Sequence, residues 1–315
     1  RKSSFSIEKN LINQHKEVNM TTTTLDKDGQ PYSRMNFKGN KQKALCSLKG
    51  LLTGIVCDTK LKPTELLFLN AWLKDHEFLQ DDPDSVDLID ALEDVLEDGI
   101  MTDEEHEDIF CLVEDVIAYK DLDNSCCKDH VNVLLGILKG ISADEEINES
   151  EVLFLSKWLI DNADIADIWP VPQIIIKITD ILDDGIITKD ECKELYQLVN
   201  QITGNEFNET GDASDTPTQQ FDSPNSITHS NVGFCFTGKF RTGTRADIEK
   251  KAKSLGAFVT PKLPTLATKY LVIGSLSSRD WAYSSHGRKI EHAKSIQVKG
   301  HEIFIISEDQ WLAAI

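Results

Sequence analysis

Three carboxylates recur at a fixed spacing. Asp58 and Glu65 return 86 residues later as Asp144 and Glu151, and Asp98 returns as Asp184. Each Asp–Glu pair falls at the first helix–helix turn of a unit, and Asp98 and Asp184 fall at another turn. Oxygen ligands placed in this way are of the kind that hold a divalent cation. The plainer reading, helix capping on a solvated acidic face, is preferred. Asp94 to Glu105 puts Gly99 sixth and Glu105 twelfth, as in an EF-hand loop, but Leu96 stands third, where an oxygen is needed, so a calcium loop is rejected. Catalytic spacing is absent. There is no G-x-x-x-x-G-K-[ST] loop, no G-x-S-x-G elbow and no H-E-x-x-H helix. Lys27-Asp28-Gly29 lacks the spacer of a K-x-D-G nucleophile. The expectation is a protein that is not an enzyme.

The carboxylates belong to a longer, ungapped match. Leu48 and Gly50 match Leu134 and Gly136. Phe68-Leu69 and Trp72-Leu73 match Phe154-Leu155 and Trp158-Leu159, and six positions from Leu96 to Glu105 recur between Leu182 and Glu191. Two units of one fold are expected, 44–121 and 130–202. Each reads as about four helices: near 44–57, 64–76, 85–97 and 103–118 in the first, and near 130–143, 150–162, 171–183 and 189–202 in the second. Leu66, Leu69, Trp72 and Leu73 share one helix face. Thr102 with Glu105, and Thr188 with Glu191, form capping boxes. Residues 1–43 lack periodicity and are expected as a disordered or loosely ordered arm. Residues 203–230 are polar, and are expected as a flexible acidic linker that lets the C-terminal domain move independently.

The net charge of -20 is unevenly spread: +5 over 1–43, -26 over 44–202, -5 over 203–230 and +6 over 231–315. Any nucleic-acid contact therefore falls to the ends, while the acidic helical body suits a basic protein partner. No apolar run is long enough to span a bilayer. Seven cysteines without a C-x-x-C pair read as thiols in a reducing, cytoplasmic compartment. His286 and His292 show no partner pattern and are assigned to the surface.

From Val232 the pattern changes to alternating strands and helices, which implies a small α/β domain, 231–315, with a parallel four-stranded sheet. The residues Phe234-Cys-Phe-Thr-Gly238, Leu255-Gly-Ala257, Thr268-Lys-Tyr-Leu-Val272, Lys289, Ala293-Lys294, Ile305-Ile-Ser-Glu308 and Trp311 resemble the BRCT family. The likeness is greatest to the BRCT domains of NAD-dependent DNA ligases and of the clamp-loader large subunit. It implies a phosphate pocket made of the Thr237 hydroxyl, the Gly238 N–H and Lys289, with Arg288 beside it. Arg245 is the added residue of the DNA-binding subgroup. The plain alternatives are a strand-end turn for Thr237-Gly238 and a solvated helix start for Arg288-Lys289. The segment 276–287 is longer and more polar than in the ligase version; its Trp281 and Tyr283 either stack on a nucleic-acid end or fold onto the protein. The helical repeat is similar to the TerB-like family of bacterial tellurite-resistance and stress proteins, on its Leu-rich first helix, Asp58 or Asp144, and Glu65–Leu69 or Glu151–Leu155.

The expected function is non-catalytic recognition of 5′-phosphorylated DNA ends or nicks in repair or replication. The alternatives are a phosphoprotein-binding adaptor, and a TerB-like stress scaffold binding a divalent cation through Asp58, Glu65, Asp144 and Glu151. No other cofactor is expected.

Overall fold

Helices dominate the N-terminal part, and three of them start on a local cap. The computed structural model describes residues 36–57, 62–76, single positions between 86 and 115, and then 127–205, 207–211, 213–278 and 280–315. The helices α1 (Phe37–Ile55), α2 (Pro63–Asp75), α3 (Cys127–Ile141), α4 (Glu149–Asp161), α5 (Val171–Leu182) and α6 (Lys189–Thr203) precede a single turn, α7 (Phe207–Thr210). Asp58, Asp98 and most of the first unit's third and fourth expected helices lie outside the described residues. Among the described residues, no helix is long and apolar enough to cross a membrane.

The caps follow residue chemistry. Thr188 Oγ1 accepts the Glu191 N–H at 3.3 Å, and Glu191 Oε2 accepts the Thr188 N–H at 2.8 Å. Thr102 and Glu105 make the same exchange at 3.2 and 2.8 Å. Asn148 and Glu151 cap α4 in this way too. Helix α6 stops at Gly204, where φ of +67° ends the helix in the left-handed region. Helix α1 begins seven residues before the expected start. Its first turns belong to the segment read as an arm, and Asn40, Lys41 and Lys43 there are buried.

Helices α1 and α3 lie side by side in the same direction, and their contact is made of glycine. A Cβ on Gly50 would fall on the Val133 carbonyl oxygen, and one on Gly136 would fall on that of Ser47. One turn on, a Cβ on Gly54 would stand 3.0 Å from Gly140 Cα, and one on Gly140 would stand 2.9 Å from Gly54 Cα. The absent side chains let the two backbones touch. Leu45, Leu48, Leu52, Leu134, Leu135 and Leu138 are buried around this seam.

The C-terminal part is a four-stranded, all-parallel sheet: β1 (Gly233–Thr237), β2 (Phe258–Val259), β3 (Thr268–Ile273) and β4 (Phe304–Ser307), in spatial order β2-β1-β3-β4. Strand alternation sorts the core into two layers. Phe234, Phe236, Tyr270, Val272 and Ile306 pack with Ile248 and Ala252 of α8 (Arg245–Ser254) and Trp311 of α10 (Glu308–Leu312). Cys235, Leu271, Ile273 and Ile305 face the other way, onto Ile290, Ala293 and Ile296 of α9 (Arg288–Val298). A parallel sheet buried on both faces accounts for the near-continuous apolar run of β3.

Two expectations change at this level. The segment 203–230, expected as a flexible linker, is tied to its neighbours by hydrogen bonds. Lys139 Nζ donates to Asp215 at 2.8 Å, and Thr218 N–H donates to Ser285 O at 2.9 Å. Asp222 N–H reaches Ile305 O at 2.7 Å, while Asp222 Oδ2 accepts Ile305 N–H at 2.6 Å and Gln297 Nε2 at 2.7 Å. These bonds use the open edge of β4, which otherwise presents unpaired backbone groups. Few apolar residues were needed, so composition alone pointed to a solvated chain.

His286 is the second correction. It is fully buried, not on the surface. Its ring stacks on Tyr283 at 4.4 Å and meets the edge of Trp169 at 4.4 Å. Burial pushes the imidazole down to about 3, so it stays neutral. The polar segment around it folds onto the helical part. Tyr283 joins the apolar cluster of α3 to α6. Lys43 Nζ donates to Trp281 O at 3.2 Å, and Asn132 Nδ2 donates to Ala282 O at 3.1 Å.

Candidate anion site at the switch point of the sheet

The strand order dictates where a ligand site would form. From β1 the chain crosses to β2 on one side; β3 and β4 lie on the other. The reversal falls between β1 and β3, and ligands of open parallel sheets bind outside the carboxyl ends of strands at such a point. Thr237 ends β1 there. Gly238 comes next, with φ of +83°, a turn in which a Cβ would be strained and would stand 3.1 Å from Leu276 O. The chain leaving β3 meets this turn: Gly274 N–H donates to Thr237 O at 2.9 Å, and Lys239 and Leu276 exchange backbone hydrogen bonds at 2.9 and 3.1 Å.

Helix α9 brings its N-terminus to the same end. Its cap is Gly287, with no side-chain cap; Ile290 N–H is taken by Gly287 O at 2.8 Å, which leaves the Arg288 and Lys289 N–H groups without a protein partner among the described residues. The Trp281 indole packs on the bare backbone of Gly287, where a Cβ would come 2.6 Å from Trp281 Cδ1. Lys289 Nζ reaches across to Phe236 O at 2.8 Å and Pro261 O at 3.1 Å. From the opposite layer, Arg245 at the start of α8 sends Nη2 to Gly238 O at 3.3 Å. Among the described residues, neither the Thr237 hydroxyl nor the Gly238 N–H has a protein partner, nor does the exposed Arg288 guanidinium.

Thr237, Gly238, Arg245 and Lys289 therefore meet at one strand end, with Arg288 on the rim. No family model, curated protein or solved structure matches the chain. The chemistry of the site rests on its geometry. A hydroxyl, a backbone donor, an uncapped helix N-terminus and two cations converge, and they suit a dianionic oxyanion. Cys235 lies beneath them, where burial pushes its thiol up against the pull of Lys289, leaving it unreactive.

Sequence reasoning missed the residue that holds this loop. Glu308, at the start of α10, is fully buried and accepts five hydrogen bonds. The donors are Arg241 N, Thr242 N and Oγ1, and Ser275 N and Oγ, at 2.7–3.0 Å. The signal available was an acid directly after the Ser307 cap, which reads equally well as a helix-dipole residue.

The carboxylates suggested for a cation are engaged locally. Glu65 Oε2 accepts Lys62 N–H at 2.6 Å, and Glu151 Oε2 accepts Asn148 N–H at 2.7 Å. Asp144 pairs with Lys62 and also accepts Glu146 N–H at 3.1 Å. Among the described residues, no group of three or more His, Cys, Asp or Glu side chains converges on a point.

Proposed function

We propose that residues 231–315 are a BRCT-type module that binds a terminal phosphate on a 5′-phosphorylated DNA end or nick. On this reading the protein is a non-catalytic, cytoplasmic binding protein of repair or replication. The two helical units, one fold repeated in a TerB-like body, carry the module. The carrying observation is the pairing of a partnerless Thr237 hydroxyl and Gly238 N–H with Lys289, Arg245 and the open N-terminus of α9. Arg245 favours nucleic acid over phosphopeptide, because it adds a second cation from the face opposite Lys289. The C-terminal excess of 13 basic over 7 acidic residues supports the same choice.

The test uses the full chain with matched duplexes ending in 5′-phosphate or 5′-hydroxyl. The phosphorylated duplex is expected to bind about tenfold more tightly, the worth of one or two charge-assisted hydrogen bonds. Arg288→Ala is the informative variant, because its side chain has no protein partner whose loss would disturb the fold. It should reduce the phosphate preference severalfold and leave thermal stability unchanged. Equal affinity for the two duplexes would sink the reading. A phosphoserine peptide outcompeting the phosphorylated duplex would make the protein an adaptor instead.

A further inference from the structure

An apolar groove opens on the helical part, far in sequence from the anion site. It lies between α4 and α5, closed at one end by the 3₁₀ turn Ala163–Ile165. Its volume is about 480 Å³, and Leu159, Ile160, Ala163, Ile175, Ile178 and Leu182 line it. Ile160 stands 73% exposed on its rim, and Ile176 on α5 is 62% exposed.

The sequence 86 residues earlier lacks part of this apolar surface. The positions 86 residues earlier in the sequence are apolar in part: Leu73, Ile89, Leu92 and Leu96 correspond to Leu159, Ile175, Ile178 and Leu182. Other positions differ. Lys74 corresponds to Ile160, Glu77 to Ala163, Gln80 to Ala166 and Asp90 to Ile176. Where the first unit is charged or polar, the second is apolar and open.

The rim is acidic, and its charge selects the occupant. The groove's elements and the turn after them carry the exposed residues Asp161, Asp164, Asp167, Asp180, Asp183 and Asp184. Against these stand Lys157 and Lys177, and Lys177 is paired with Glu194. A fatty acid or any other anionic amphiphile would meet Asp183 in the lining and an acidic excess on the elements that form the groove, where, among the described residues, Asp164 alone is paired, with His130. A second copy of this chain would bring a net charge of -20 to the same place. An amphipathic helix with a basic polar face meets neither obstacle. Its apolar residues at i, i+3, i+4 and i+7 fill a groove between two helices, while lysines and arginines flank the aspartates.

We propose that the groove between α4 and α5 is a docking site for a basic amphipathic helix of a partner protein. The proposal stands independently of the anion site. The probe is a fluorescein-labelled 18-residue peptide with leucines at helical spacing and lysines elsewhere, titrated with the full chain. Saturable binding is expected, weakened by salt. A scrambled peptide of the same composition should bind at least about tenfold more weakly, because it has the charge without the face. Ile160→Gln should cost about tenfold in affinity with no change in helical circular dichroism, since the side chain is exposed and the charge is kept. Ala163→Gln is the second variant, polar like the first unit at that position, and should act in the same direction. Equal binding of the scrambled peptide overturns the proposal, as does unaltered affinity in both variants. Self-association of the wild-type chain that Ile160→Gln abolishes would make the groove a homodimer face and overturn it too.

Discussion

Gly136→Ala is expected to destabilise the protein by about 3 kcal/mol, although alanine is the better helix former by roughly 1 kcal/mol. The sign is decided by what the new Cβ meets. It would sit on the Ser47 carbonyl oxygen, 2.9 Å from Leu51 N and 3.0 Å from Gly50 Cα. All three are backbone atoms of a helix interior, and no rotamer change moves them aside. The remaining response is to part α1 from α3, which loosens every leucine buried along the seam and forfeits contacts on both sides. Gly50→Ala should behave alike, because its Cβ would meet the Val133 oxygen and stand 2.9 Å from Ile137 N. Gly39, exposed on α1 with nothing within 4 Å of its would-be Cβ, is the control. There alanine should be neutral or stabilising by up to about 1 kcal/mol. Denaturant unfolding separates the outcomes. The midpoint falls for Gly136→Ala and Gly50→Ala, and holds or rises for Gly39→Ala. Unchanged midpoints in all three would show that the helices do not pack on their glycines.

The glycine seam also marks where sequence reading ran out. Gly50 and Gly136 were visible as matching positions, but a glycine's role is set by what faces it, and the facing helix is 86 residues away. Local signals were legible. Thr188 with Glu191 and Thr102 with Glu105 cap as their spacing predicts, since a capping box closes within four residues. The alternation of strands and helices after Val232 implied the parallel sheet in advance, while its two core layers came only with the fold. Tertiary contacts were not legible. His286 has no partner pattern along the chain because its partners, Tyr283 and Trp169, are rings supplied by the fold. The 203–230 segment is fixed through backbone bonds to β4, which leave no trace in composition. The candidate site falls between these cases. Thr237, Gly238, Arg245 and Lys289 do meet, but Lys289 is held by the Phe236 and Pro261 carbonyls, and those contacts involve no side chain that sequence could flag.

Glu308 carries the other large effect, and it bears on that site. Its carboxylate is the common acceptor for the turn after β1 and the turn after β3, through Arg241, Thr242 and Ser275. The first turn leads directly into α8, which presents Arg245, so Glu308 is a positioning residue for the anion site. Burial alone would raise its pKa, but the five donors outweigh burial and hold it at about 2, below its ordinary value near 4.5. A folded-state pKa below the unfolded one means stability that is present above about pH 4.5 and lost as pH falls towards 2. The shift corresponds to about 3 kcal/mol at neutral pH. Glu308→Gln keeps the shape and one acceptor oxygen but sets an NH₂ group against donors, so most of that stability should vanish. Unfolding by denaturant at pH 7 should therefore show a gap of about 3 kcal/mol between wild type and Glu308→Gln. The gap should narrow steadily between pH 4.5 and 2, because acid removes from the wild type what the substitution has already removed. A gap independent of pH would mean that the carboxylate's charge contributes nothing, and that Glu308 acts only by filling space between the two turns.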